Sequence, residues 1–248
     1  MVMASNTQRM DPTSIAYWLD CYGGKRLWTA IWPLVHWLAH KEGDPFVLCI
    51  GGPPTDDVYQ MARALADFLD TAALSEVRNE TVLHVDVDAF RPPDEGRAGV
   101  PDFRPQAYRM IELAEFLNSI ITNPGAPHTC GGYNRQGEYD PELFRYTRFV
   151  RIVIVAGAYV TERPIRAYAH EGWYLKPARR WKDVKKIVRA NIVGVIERHL
   201  GEKLLPPGES AIDEEFRGIE RWIVPTTWGK GKAAGLGPHR VFVKAKPN

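Results

Sequence analysis

Phe46-Val47-Leu48-Cys49-Ile50-Gly51-Gly52-Pro53-Pro54 leads into Thr55-Asp56-Asp57-Val58-Tyr59-Gln60 and then Met61-Ala62-Arg63-Ala64-Leu65-Ala66-Asp67-Phe68-Leu69. The opening apolar run reads as a strand buried on both faces, and the Gly-Gly-Pro-Pro cluster stops it. The last segment carries its apolar residues at helical spacing. Strand, turn and helix follow one another again downstream. Thr81 to Val87 reads as a strand, Gln106 to Ile121 as an amphipathic helix, and Phe149 to Val155 as a central parallel strand. Arg179 to Leu200 reads as a helix, with Trp181, Val184, Val188, Ile192, Val195 and Ile196 on one side. Upstream, Ser14 to Lys41 reads as two helices broken at Cys21–Lys25. Strands alternating with helices predict a three-layer α/β domain with a parallel sheet flanked by helices. The expected organisation is one domain over residues 1–248. It includes an irregular insertion at about 123–148 and a basic C-terminal tail at about 226–248, which contains the alternating Val241-Phe242-Val243-Lys244.

Composition narrows the function. With 248 residues, 45% hydrophobic and 25% charged, the chain can bury a substantial core. A net charge of +2 supplies no global field for nucleic acid or membrane, so no specific nucleic-acid partner and no membrane association are expected. Cys21, Cys49 and Cys130 are widely spaced, which fits a reducing compartment and gives no zinc or disulfide framework. No apolar run reaches membrane-spanning length, and Met1 to Pro12 is polar; a cytoplasmic protein is expected.

The junction after the first strand has the spacing of a phosphate-binding loop, G-x-x-x-x-G-K-[S/T]. Gly52 stands at the first glycine, but Asp57 stands at the second, Val58 at the lysine and Tyr59 at the small hydroxyl residue. In a working loop the backbone N–H groups cradle phosphate, the lysine neutralises charge and the hydroxyl holds Mg²⁺. Asp56 and Asp57 instead put negative charge beside any bound anion, at about 1 kcal/mol or more per close pair even in water. At a helix N-terminus the same two carboxylates are favoured by the dipole and can cap free N–H groups.

Four segments then occur in a telling order. Ile50-Gly51-Gly52-Pro53-Pro54 is followed by Asp88-Ala89-Phe90-Arg91-Pro92-Pro93, then Arg97-Ala98-Gly99-Val100-Pro101-Asp102-Phe103, then Ile152-Val153-Ile154-Val155-Ala156-Gly157-Ala158-Tyr159. Together they resemble the uridine kinase and pantothenate kinase group of P-loop kinases, over roughly residues 15–170. The resemblance implies a kinase-like P-loop fold, with Asp88 as general base or magnesium-associated carboxylate near an acceptor hydroxyl. It also implies a substrate loop around Arg97, and lid arginines at Arg179, Arg180 and Arg189. Ala156 stands where the family has glutamate, and the degenerate Walker A positions lack both lysine and hydroxyl. ATP and Mg²⁺ are therefore not expected to bind in the conventional way.

His84, Asp86 and Asp88 alternate along a strand and are the candidate catalytic set; the alternative for His84 and Asp86 is that backbone or helix-cap hydrogen bonds satisfy them. The same phrase is similar to the first catalytic motif of lesion-bypass DNA polymerases, which Arg91-Pro92-Pro93 does not fit. Arg91, Arg97, Arg104 and Tyr159 are the candidate substrate-binding set, able to hold a carboxylate or phosphate. Lys182, Lys185, Lys186 and Arg189 read as a solvated face. His128 and Cys130 lie close together without an activating third group. The leading expectation is a pseudokinase that has lost ATP-dependent phosphotransfer and binds a small polar metabolite or a protein partner. A repurposed enzyme using Asp88 and Asp86 without ATP is one alternative. An active small-metabolite kinase with an unorthodox loop, drawing on Lys25 or Arg179, is another.

Overall fold

The apolar run at 46–51 is the middle strand of a five-stranded parallel sheet in the computed structural model. The structure describes residues 11–22, 24–40, 44–52, 56–74, 80–93, 105–147, 149–160, 164–176 and 239–244. The helices are α1 (Ile15–Tyr22), α2 (Gly24–His40), α3 (Asp56–Leu74) and α4 (Met110–Thr122). The strands are β1 (Phe46–Gly51), β2 (Glu80–Asp86), β3 (His128–Tyr133), β4 (Tyr139–Tyr146), β5 (Phe149–Ala156), β6 (Glu171–Lys176) and β7 (His239–Lys244). The sheet order is β2-β5-β1-β6-β7, with β3 and β4 forming a separate antiparallel pair.

Alternation along β1 sends side chains into two cores. Phe46, Leu48 and Ile50 pack with Ile152 and Ile154 of β5 under α1, α2 and α3. Val47 and Cys49 pack with Val153 and Val155 under α4. The path obeys crossover handedness. Helix α3 carries the chain outward from β1 to β2 on one face, and α4 brings it back from β2 to β5 on the other. The sheet is anchored at the strands' N-terminal ends as well. Arg151, buried within β5, donates from Nη2 to the Trp37 carbonyl near the end of α2 at 3.2 Å. The Val47 amide donates to His170 Nδ1 at 3.0 Å, just before β6.

Several expectations change. Strand β2 ends at Asp86, and Val87–Phe90 turn as a 3-10 helix, so Asp88 is no longer on the strand face that holds His84 and Asp86. The segment 123–148, expected to be irregular, holds the β3–β4 hairpin. Phe144 of that hairpin stacks on Phe90 at 5.6 Å and meets Phe116 at 5.9 Å, which seats it on the α4 face. Strand β6 was not anticipated. The alternating stretch in the expected tail is β7, paired in parallel with β6. Helix α4 starts at Met110, after a 3-10 turn at Pro105–Ala107. Residues 179–200 and 226–238 lie outside the described residues. Among the described residues, no helix is long and apolar enough to cross a membrane.

Leu48 is fully buried in the central strand. Leu48→Ala should cost about 2–5 kcal/mol through lost burial and an unfilled cavity. Urea unfolding checks it: the midpoint should fall with the slope unchanged.

Candidate functional site

Open α/β sheets bind ligands outside the carboxyl ends of their strands, where the strand order reverses. Here that point lies between β1 and β5. From β1 the chain moves to β2 on one side, and from β5 it moves to β6 on the other. Gly51-Gly52, Ala156-Gly157 and Asp86–Asp88 meet there.

Gly52 and Val58 are in close contact. A Cβ on Gly52 would stand 2.7 Å from Val58 Cγ2 and 3.0 Å from the Leu175 carbonyl oxygen. Val58 itself is buried in the α1–α3 core. The residue that the sequence reading sets at the lysine position is thus an apolar side chain turned inward. Asp56 and Asp57 open α3, as expected of residues favoured at a helix N-terminus.

Tyr59 lies one residue further on. Its ring crosses Gly157, whose φ of 140° suits only glycine, and a Cβ there would meet the Tyr59 hydroxyl at 2.9 Å and Val87 Cβ at 3.0 Å. The Tyr59 phenol lies within the field of the Asp88 carboxylate. A second phenol, Tyr108, donates to Asp88 Oδ1 at 3.2 Å. Tyr108 is braced edge-on by Tyr159, with ring centroids 5.5 Å apart. Tyr159 is buried and its φ of 65° is left-handed, a conformation that costs a bulky residue about 1–2 kcal/mol. Burial, then the Asp88 charge, pushes the Tyr59 hydroxyl well above the ordinary phenol value. The same two causes push Tyr108 up, with Arg91 opposing them. Both phenols are therefore neutral, and Tyr108 donates to the Asp88 carboxylate.

The remaining predicted residues divide. His84 Nε2 and Asp86 Oδ1 lie 3.0 Å apart on the α3 side of β2. Asp86 adds its charge to the Tyr59 environment, so the His84–Asp86 pair borders the cluster. The Arg91 guanidinium lies 6.0 Å from the Tyr108 ring centroid, and its amide donates to the Asp88 carbonyl at 3.1 Å. Arg97 and Arg104 lie outside the described residues, as do the lid arginines. His128 is occupied by the Asn123 carbonyl at 2.9 Å and Ser119 Oγ at 3.2 Å. Burial pushes Cys130 to about 11, which leaves it a thiol at neutral pH. Among the described residues, no group of three or more His, Cys, Asp or Glu could hold a metal ion.

A solved structure follows the same path. A candidate fructose transport system kinase from Silicibacter sp. TM1040 matches at a TM-score of 0.51 and 14% identity, covering 79% of this chain and 95% of that one. The chain has a P-loop kinase fold. A candidate uridine kinase from Bacillus stearothermophilus matches at a TM-score of 0.48 and 15% identity, covering 65% of this chain and 90% of that one. No family model matches the sequence, and no curated protein does. The likeness is thus one of fold.

Tyr108 and Gly157 were not singled out as site residues in the sequence. Tyr108 falls outside every motif, and its role comes from the turn after β2 meeting the start of α4.

Gly157→Ala should destabilise by about 1–3 kcal/mol, because a Cβ crowds Tyr59 and Val87. The loss in urea unfolding should shrink when Tyr59→Phe removes the crowding hydroxyl. Alkali gives a second check. Tyr59, Tyr108 and Cys49 are all raised on folding, Cys49 by burial from 9.0 to about 12. Their contribution is complete below the unfolded values, about 9–10, and is lost as pH rises toward the folded ones. The melting temperature should therefore fall progressively above about pH 9.

Proposed function

We propose that this P-loop fold has lost conventional ATP-dependent phosphotransfer. On this proposal it is a uridine kinase-like pseudokinase that binds a small polar metabolite through the cleft around Asp88. One observation carries the proposal. The residue at the Mg²⁺-holding hydroxyl position, Tyr59, is a phenol laid across Gly157 and kept protonated by burial and by the charge of Asp88, the carboxylate on the acceptor side. Val58, at the lysine position, is buried against Gly52 and offers no charge to a triphosphate. Donor-side chemistry is thus replaced while Asp88 and Arg91 stay at the cleft.

The kinase resemblance supports this reading through fold and motif order. The ligand class follows from what remains. Asp88 accepts hydrogen bonds and Arg91 donates them, so a neutral polar molecule with both kinds of group suits the cleft better than a polyphosphate. Calorimetry with Mg·ATP should show no binding at micromolar concentration, whereas a metabolite panel should include at least one ligand whose affinity falls in Asp88→Asn. Micromolar Mg·ATP binding would sink the proposal.

A second reading is favoured by the His84–Asp86 contact at 3.0 Å beside the cluster. An ATP-independent acid/base reaction would use these two groups together with Asp88. Asp88→Asn would then abolish turnover of the bound metabolite without lowering the melting temperature.

A further inference from the structure

Trp28 and Trp32 are the bulkiest side chains left uncovered among the described residues. They are 41% and 54% exposed and stand one turn apart on the outer side of α2. Their rings lie 6.3 Å from each other, and Trp28 meets Phe68 of α3 edge-on at 6.0 Å, so the patch spans both helices. Trp18 and Trp173 each give the indole N–H to a protein acceptor at 2.7 Å. Among the described residues, Trp28 and Trp32 make no such bond.

Three features make this patch match itself turned end for end. The first is shape. Thr29 and Pro33 are small and exposed, and they lie alongside the two indoles as a shallow groove beside an aromatic ridge. The second is hydrogen bonding. Pro33 brings no N–H to the Thr29 carbonyl one turn back, which leaves an acceptor in that groove for an indole donor. The third is charge. Arg63 and Asp67 are exposed one turn apart on α3, with Asp67 next to Phe68, and they form no ion pair among the described residues. One rim of the patch thus carries a cation and then an anion, and a reversed copy presents the anion to the cation.

We propose that a second copy of this chain docks on this face. The two α2 helices lie antiparallel about a two-fold axis, with the indoles of each copy seated in the Thr29–Pro33 groove of the other. Arg63 faces Asp67 of the partner subunit, and the axis makes every such contact twice. A rim whose charges cancel offers an anionic bilayer no net attraction. The two indoles together expose about one tryptophan side chain per copy, roughly 150–250 Å². A stable interface takes about 800 Å² from each partner, so the tryptophans are the centre of a weak, concentration-dependent dimer.

Sedimentation velocity of the full chain tests this. The weight-average mass should rise from that of a monomer at about 1 µM toward that of a dimer at about 100 µM. Trp28→Ser combined with Trp32→Ser should weaken association at least about tenfold, because central tryptophans carry such contacts. If that variant melts early, the charge exchange still decides. Arg63→Glu places two like-charged pairs about the axis and should also weaken association about tenfold; adding Asp67→Arg should restore it. A chain that stays monomeric at 100 µM overturns the proposal. So does a dimer indifferent to the tryptophans, or a double exchange that fails to recover what Arg63→Glu loses. Tryptophan-dependent sedimentation with phosphatidylcholine–phosphatidylserine vesicles, by a chain monomeric in solution, would assign the patch to a membrane instead. Ligand binding at Asp88 is independent of each of these outcomes.

Discussion

Everything in this fold depends on β1 being apolar on both faces. A strand with six buried residues cannot sit at an edge or under one layer. It needs a parallel neighbour on each side, supplied by β5 and β6, and a helical cover above and below. Right-handed crossovers then decide which helices go where. Once β1 is central, α3 must leave from its carboxyl end, and the loop between them must lie at the switch point. The candidate site is therefore a consequence of strand burial before it is a consequence of any functional residue.

At that place the chain fills its own cleft. A phosphate-binding loop leaves a hollow lined by N–H groups and completes it with a ligand's charge. Here Val58 turns into the core against Gly52, and Tyr59 lies across Gly157. The resulting cluster has its own logic. The Asp88 carboxylate accepts from Tyr108, and both phenols stay protonated because burial and that carboxylate oppose their ionisation. Tyr159 accepts a left-handed backbone to brace one of them.

The sequence disclosed the parts whose signal is local. β1 and β5 are apolar runs, α3 has helical spacing, and Asp88-Ala89-Phe90 marks the end of the second strand. It hid the parts whose signal is tertiary. Glu171-Gly172-Trp173-Tyr174-Leu175-Lys176 is too short and mixed to declare itself, and becomes β6 only because β1 has an open side. The hairpin contains Gly131, Gly132 and Pro141 and buries little beyond His128, Gly132 and Phe144, so its pattern resembles a loop. At the candidate site, Asp88 and Tyr59 were both singled out from the sequence. That Tyr108 donates to Asp88, with Tyr59 beside it, was not legible, because it requires α3 and the start of α4 to meet the turn after β2 from opposite faces.

The central pairing also sets a schedule for synthesis. Phe46 of β1 lies beside Ile152 of β5, so the apolar middle strand waits for a partner made roughly a hundred residues later. At translation rates of about 5–20 residues per second, that is an interval of about 5–20 s. During it β1 can be covered only by α1, α2 and α3, which precede or closely follow it. Those three helices pack on a single face, with Phe46, Leu48 and Ile50. Val47 and Cys49 stay uncovered until α4 and β5 arrive, making this the face of the nascent chain most in need of shielding.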